Sequence, residues 1–170
     1  MNKNIIAGIA AVAALASAAP AFAGTASGTL TSTLSVTTSC TIGNGGSATL
    51  DFGTIPAKTL TAPLDADTGA TLTVNCDGNA TSPTLTIGAS SNLVGGVRAL
   101  KATVGAVTRL VPYALYQDVG RTTPFAIDTP VTIPDFTAGV NTVPVRGRIE
   151  AGTAIDQGDY SDTVSFTVTY

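Results

Sequence analysis

The chain has 170 residues, including 18 Gly, 9 Pro and two Cys but no His or Trp, and 8 Lys and Arg against 11 Asp and Glu give a net charge of −3. That acidic balance argues against a nucleic-acid partner, because such binding rests on Lys and Arg neutralising phosphates. Without histidine, acid–base catalysis would fall to carboxylates, Tyr or Lys; no catalytic, phosphate-loop or zinc pattern stands out, so the chain reads as a non-enzyme with no catalytic residues, metal or cofactor.

Lys3, the apolar run from Ile5 to Leu15 and the small residues ending Ala21-Phe22-Ala23 read as a secretory signal peptide with an A-x-A cleavage site, too short for a membrane anchor. Cleavage after Ala23 leaves 147 of the 170 residues, one ordinary domain, and loss of Lys3 leaves 7 basic against 11 acidic residues, a net charge of −4. The remainder is rich in Thr, Ser, Val and Gly, and no long window shows the apolar spacing of an amphipathic helix. The domain should be nearly all β.

From Thr25 to Ser39 every odd position is Ser or Thr, while Ala26, Gly28, Leu30, Ser32, Leu34 and Val36 alternate with them. An extended chain here has one hydroxylated face and one partly apolar face. Taken alone, this stretch could pack on another molecule, fold back into its own domain, or remain a Ser/Thr-rich tail. Cys40 and Cys76 follow in an exported chain, where pairing is the default and no histidine is present to activate a thiol.

Period-two segments recur between turn clusters. "ATLDFGTI" places Leu50 and Phe52 on one face, "ATLTVNC" Leu72, Val74 and Cys76, and "PTLTIGA" Leu85 and Ile87. "VPYALYQD" adds Tyr113 and Leu115, "PVTIPDF" Val131 and Ile133, and "NTVPVRGRI" Val143, Val145 and Ile149. "GNGGS", "DADTG", "CDGNATSP" and "DQGD" supply Gly, Asn and Asp turns, so the pattern is that of a sandwich. Pro112, Pro130, Pro134 and Pro144 cannot donate to a ladder and should mark strand starts, edges or bulges.

The polar residues invite plainer readings. Asp65 with Asp67, and Asp77 near Asn79, resemble fragments of a calcium loop but lack the bidentate acid, and read as turn residues. Arg146 and Arg148 read as a solvated strand face, with contact to an acidic neighbour as the alternative. Asp156, Asp159 and Asp162 surround a turn and the start of the last strand, where solvent relieves their repulsion and charge discourages untimely edge pairing. Asn79-Ala80-Thr81 matches a glycosylation sequon of the kind common by chance.

In the final "GDYSDTVSFTVTY", Tyr160, Val164, Phe166, Val168 and Tyr170 share one face, and Ser and Thr occupy most of the other. A seven-stranded immunoglobulin-type sandwich would normally have a further strand covering this edge. An uncovered regular edge strand invites strand addition.

"TTSCTI", "LDFGTI", "TLTVNCDG", "YALYQD", "VPVRGRI" and the terminal "QGDYSDTVSFTVTY", taken in this order, resemble the spore coat protein U family, which includes the Csu-type pilins of archaic chaperone-usher pili. The resemblance implies an incomplete immunoglobulin-like β-sandwich (residues 37–170) lacking its last strand, with a disulfide matching Cys40 and Cys76. It also implies an N-terminal extension, residues 24–36, that completes a neighbouring subunit by donor-strand exchange. Leu30, Leu34 and Val36 would then point into the neighbour's core beside its Val164, Phe166, Val168 and Tyr170. Gly28 and Ser32 depart from an ideal donor, because bulky apolar residues would be expected there.

The function implied is a structural subunit of a surface pilus serving adhesion or biofilm formation. Its partners would be other pilin subunits, a periplasmic chaperone and an outer-membrane usher, and it would pass through the periplasm to the cell surface. The alternatives are a secreted coat protein whose N-terminal strand completes its own sandwich, and a pilus-tip adhesin, for which one domain of this size leaves little room.

Overall fold

The computed structural model describes residues 27–170 except 44–45, 68–69, 78–79, 134–135 and 137. The signal-peptide reading, Asn79 of the sequon and Pro134 fall outside these residues. The chain divides into two units, residues 1–35 and 36–170, and the described part of the first, residues 27–35, has no regular secondary structure.

Among the described residues the second unit is all β. Its strands are β1 (Ser39–Ile42), β2 (Lys58–Thr59), β3 (Leu64–Ala66), β4 (Thr71–Asp77), β5 (Thr84–Ser90), β6 (Leu93–Val94) and β7 (Val97–Val104). There follow β8 (Val107–Pro112), β9 (Ala114–Tyr116), β10 (Pro130–Thr132), β11 (Gly139–Pro144), β12 (Arg146–Ile149), β13 (Ala154–Ile155) and β14 (Val164–Thr169). The sheets are ordered β1-β4-β11, β10-β5-β14, β3-β12-β9, β6-β7-β8 and β13-β2.

Two long chain segments join these short ladders by changing partner at a single residue. β8 pairs with β7 and β9 with β12; between them the Tyr113 amide donates to the Arg98 carbonyl at 2.8 Å. Likewise β11 pairs with β4 and β12 with β3; between them Val145 donates to the Ala70 carbonyl at 2.8 Å. Pro112 closes β8, Pro144 closes β11 and Pro130 opens β10, all strand ends where a missing N–H is tolerated.

The core follows from alternation. Leu72, Val74 and Cys76 on β4, Leu85 and Ile87 on β5, and Val143, Val145 and Ile149 on and between β11 and β12 belong to one buried cluster. The β4 and β5 sheets therefore close over shared apolar surface, the arrangement of a sandwich. At one edge Cys40 lies directly opposite Cys76 in the β1–β4 register, with Cα atoms 4.0 Å apart, and the two are joined as a disulfide.

Two elements differ from the sequence expectation. Residues 47–57, which include "ATLDFGTI", join no sheet, although Leu50 and Phe52 are half-buried against the core. Their alternation records burial of side chains without a neighbouring ladder. Conversely, β7 and β8 form a hairpin, turning at Gly105 with φ +60°, that the alternation did not announce. Val104, Val107 and Leu110 are exposed there while Ala99, Ala102 and Val111 are buried, so only part of its apolar pattern reports the core.

Candidate functional site

β14 pairs with β5 along one edge and is the last strand of its sheet. Val164, Phe166 and Val168 are half-buried and alternate with exposed Ser165, Thr167 and Thr169, while Tyr170 lies beyond the strand and is exposed. The register slips between Val164 and Phe166, where Gly88 and Ala89 of β5 face the single residue Ser165, a β-bulge in β5. A Cβ on Gly88 would approach the Ser165 Oγ to 2.6 Å, so a side chain there would turn that hydroxyl aside.

Two cavities open between β14 with its approach and the sheetless segment 47–57. The larger, about 660 Å³, is lined by Leu50, Phe52, Ile55, Leu100, Ile155 and Tyr160. The smaller, about 350 Å³, is lined by Leu50, Phe52, Tyr113, Asp162, Val164 and Phe166. Leu50, Phe52 and Leu100 border both, making one groove that reaches down to core residues such as Ile87 and Ile149. Gly147 lies beneath its wall: a Cβ there would stand 2.6 Å from both Leu50 Cδ2 and Phe52 Cζ. Phe52 in turn meets Tyr113 edge-on, with ring centroids 6.0 Å apart.

The groove is polar at Asp162, which lines the smaller cavity. The Tyr113 hydroxyl donates to Asp162 Oδ2 at 2.7 Å, the Ser90 hydroxyl donates to Asp162 Oδ1 at 2.6 Å, and Asn92 Nδ2 donates to the same oxygen at 3.3 Å. Burial, and then the hydrogen bond to the Asp162 carboxylate, push the Tyr113 phenol well above its usual pKa, so it remains a donor. Behind it, buried Arg98 donates to the carbonyls of Gly88 at 3.0 Å, Phe125 at 2.9 Å and Ile87 at 2.8 Å. Burial lowers the Arg98 pKa, and nearby Tyr113, Asp128 and Asp162 oppose that shift. Its forked donors hold the irregular β5 backbone where the ladder cannot.

These groups correct the plainer reading of the aspartates. Asp162 belongs to this network and is not a solvated turn charge, whereas Asp156, 59% exposed, stays in solvent and pairs with Arg109 at 3.1 Å. Arg146 and Arg148 are likewise not a solvated face. Arg148 Nε reaches Asp65 at 2.7 Å, and Arg146 Nη1 reaches Asp67 at 3.1 Å. Nearly buried Arg121 bridges both aspartates at 3.1 and 2.6 Å, despite a φ of +56°. The Arg148 hydrogen bond holds the Asp65 carboxyl below its usual pKa. Asp65 and Asp67 therefore hold arginines in place of a turn role, and among the described residues no group of three or more acidic or Cys side chains could hold a metal ion.

Of the N-terminal residues singled out in the sequence, Leu30, Leu34 and Val36 are 92%, 88% and 82% exposed and lie outside any strand. Local sequence could not reveal the Tyr113–Asp162 pair, whose members are 49 positions apart. Arg98 left one usable signal, a lone cation inside the otherwise uncharged stretch from Leu93 to Leu100.

These elements make an all-β, immunoglobulin-like sandwich with an edge strand, an open groove beside it and a disulfide in the β1–β4–β11 sheet. Residues 26–167 match the Spore Coat Protein U domain, and the chain belongs to that family. It is 32% identical over 178 aligned positions to Protein U of Myxococcus xanthus, covering 99% of this chain and 98% of that protein. The fold is similar, with a TM-score of 0.51 and 16% identity, to a chain in the crystal structure of the CsuC–CsuE chaperone–tip adhesion subunit pre-assembly complex from archaic chaperone-usher Csu pili of Acinetobacter baumannii. That match covers 79% of this chain and 40% of the other, so this chain spans well under half of its structural neighbour.

Proposed function

We propose that this protein is a structural subunit of a surface pilus, assembled by the chaperone-usher pathway through donor-strand exchange and serving adhesion or biofilm formation. The observation that carries the reading is the groove between β14 and residues 47–57, which opens onto the core beside an edge strand. Residues 24–36 of one copy are the occupant of the groove in the next. Exposed Leu30, Leu34 and Val36 support this, since apolar side chains at period two suit an added strand.

Three aliphatics buried in a groove contribute about 1.5–3 kcal/mol each. About ten ladder hydrogen bonds at roughly 1 kcal/mol apiece contribute a similar sum. Neither dominates, so truncating one leucine weakens polymerisation without abolishing it. Before assembly a periplasmic chaperone lends a strand to the same groove, and an outer-membrane usher exchanges it for the next subunit. The exported chain, cleaved after Ala23, thus passes through the periplasm to the fimbria.

The test is electrophoresis of purified mature protein without boiling. Donor-strand contacts that are kinetically stable give a ladder of multimers. A monomer at every concentration tested contradicts the proposal and favours a self-completed coat protein.

A further inference from the structure

The smaller cavity is mainly apolar with Asp162 on its wall, the larger mixes apolar side chains with Asp51, Asp156, Gln157 and Asp159, and the N-terminal stretch likewise alternates aliphatic residues with a hydroxyl at Ser32. Continued at period two from β14 towards the preceding turn, the groove-lining row runs Phe166, Val164, Asp162, Tyr160. On the N-terminal stretch the corresponding row runs Gly28, Leu30, Ser32, Leu34.

We propose that a second copy of this chain docks antiparallel to β14 with Ser32 on Asp162, which sets Gly28 on Phe166, Leu30 on Val164 and Leu34 over Tyr160. This rests on the donor-strand reading and deepens it, naming the partner as the chain itself and fixing the register. Gly28, the smallest inward residue, then meets the ring of Phe166, and Leu34 lies over Tyr160 at the larger cavity, about 660 Å³. The parallel sense with the same polar match also sets a leucine on Val164 and another over Tyr160, but it puts Val36 in place of Gly28 on Phe166 and overpacks that site.

The polar match has its own chemistry. The Asp162 oxygens accept from Ser90, Asn92 and Tyr113, and an ionised carboxylate has roughly four lone-pair sites, leaving one for the Ser32 hydroxyl. An apolar side chain at position 32 would strip water from that carboxylate and return no hydrogen bond. Asp162 therefore acts as a register filter, admitting a strand whose hydroxyl falls at this point and rejecting one shifted by two residues. The two positions where the stretch departs from an ideal donor become the two that fix its alignment.

The test measures dissociation of multimers of the full mature chain in mild denaturant for Ser32→Ala, Ser32→Val, Leu34→Ala and Asp162→Asn, and for Ser32→Ala combined with Asp162→Asn. Loss of one charge-assisted hydrogen bond predicts that Ser32→Ala dissociates about tenfold faster. Ser32→Val should be at least as fast despite its added apolar surface. Beside Asp162→Asn, whose neutral amide accepts about half as strongly, the Ser32→Ala factor should shrink to roughly threefold. If Ser32→Val multimers last as long as wild type, or the Ser32→Ala factor is equal in both backgrounds, the register is overturned. In that event, weakening by Leu34→Ala preserves the donor-strand reading, whereas no effect of Leu34→Ala removes that reading as well.

Discussion

The hydroxyl of Tyr113 donates a 2.7 Å hydrogen bond to Asp162 and so ties the residue between β8 and β9 to the approach of β14. Tyr113→Phe removes the donor and leaves a partly buried carboxylate oxygen short of one partner. The expected cost is about 1–3 kcal/mol in urea unfolding, with an unchanged m-value. A variant as stable as wild type would show that solvent already satisfies this oxygen.

Gly147 has no room for a side chain because Leu50 and Phe52 lie over it. Gly147→Ala should push both outward and narrow the groove while leaving the sheets intact. Circular dichroism should retain the β spectrum, whereas the yield of multimers should fall. Undiminished assembly would place the occupant somewhere other than against Leu50 and Phe52.

Asp118 is held well below the usual 3.8, at about 2, chiefly by the backbone N–H groups of Thr122 and then Thr123. A carboxylate with a depressed folded-state pKa contributes its stabilisation above the unfolded value near 3.8 and loses it as pH falls towards about 2. The loop carrying Arg121 should therefore loosen only below pH 3.8. An NMR titration should give a carboxyl midpoint near 2, with the Thr122 and Thr123 amides following it. A midpoint near 3.8 would mean those bonds are not kept in solution.

The Cys40–Cys76 disulfide closes a sequence separation of 36. Replacing both by Ser should cost about 4 kcal/mol of unfolding free energy on the loop-entropy account. Because the bond lies on the β1–β4 edge, and β14 belongs to the β5 sheet, the variant should still form multimers under conditions where it folds. Loss of multimers from a folded double variant would couple the two sheets more tightly than this architecture implies.

Much of the sandwich was legible because half-buried strands declare themselves by alternation. Leu72, Val74 and Cys76, or Leu85 and Ile87, point inward as their spacing requires. The same logic misassigned "ATLDFGTI": Leu50 and Phe52 do pack on the core, but alternation reports which side chains are buried and cannot say whether a neighbouring strand is present. The β7–β8 hairpin was hidden for the opposite reason, since Val97, Val104 and Val107 are apolar yet exposed. The ion pairs of Asp65 and Asp67 with Arg146 and Arg148 join residues 79 and 83 positions apart, and only the β3–β12 register brings them together. The edge strand was readable from "TVSFTVTY", whereas the polar network at Asp162 needed Tyr113, Ser90 and Asn92 from distant parts of the chain.

The central claim is that one copy's leading segment completes the next copy's sandwich. Native mass spectrometry of the mature chain with and without residues 24–36 tests it most directly. The full chain should give a series of multimers; the truncated chain should give monomer only, which a synthetic peptide of residues 24–36 converts to a one-to-one complex. Multimers of the truncated chain as abundant as those of the full chain would contradict the claim.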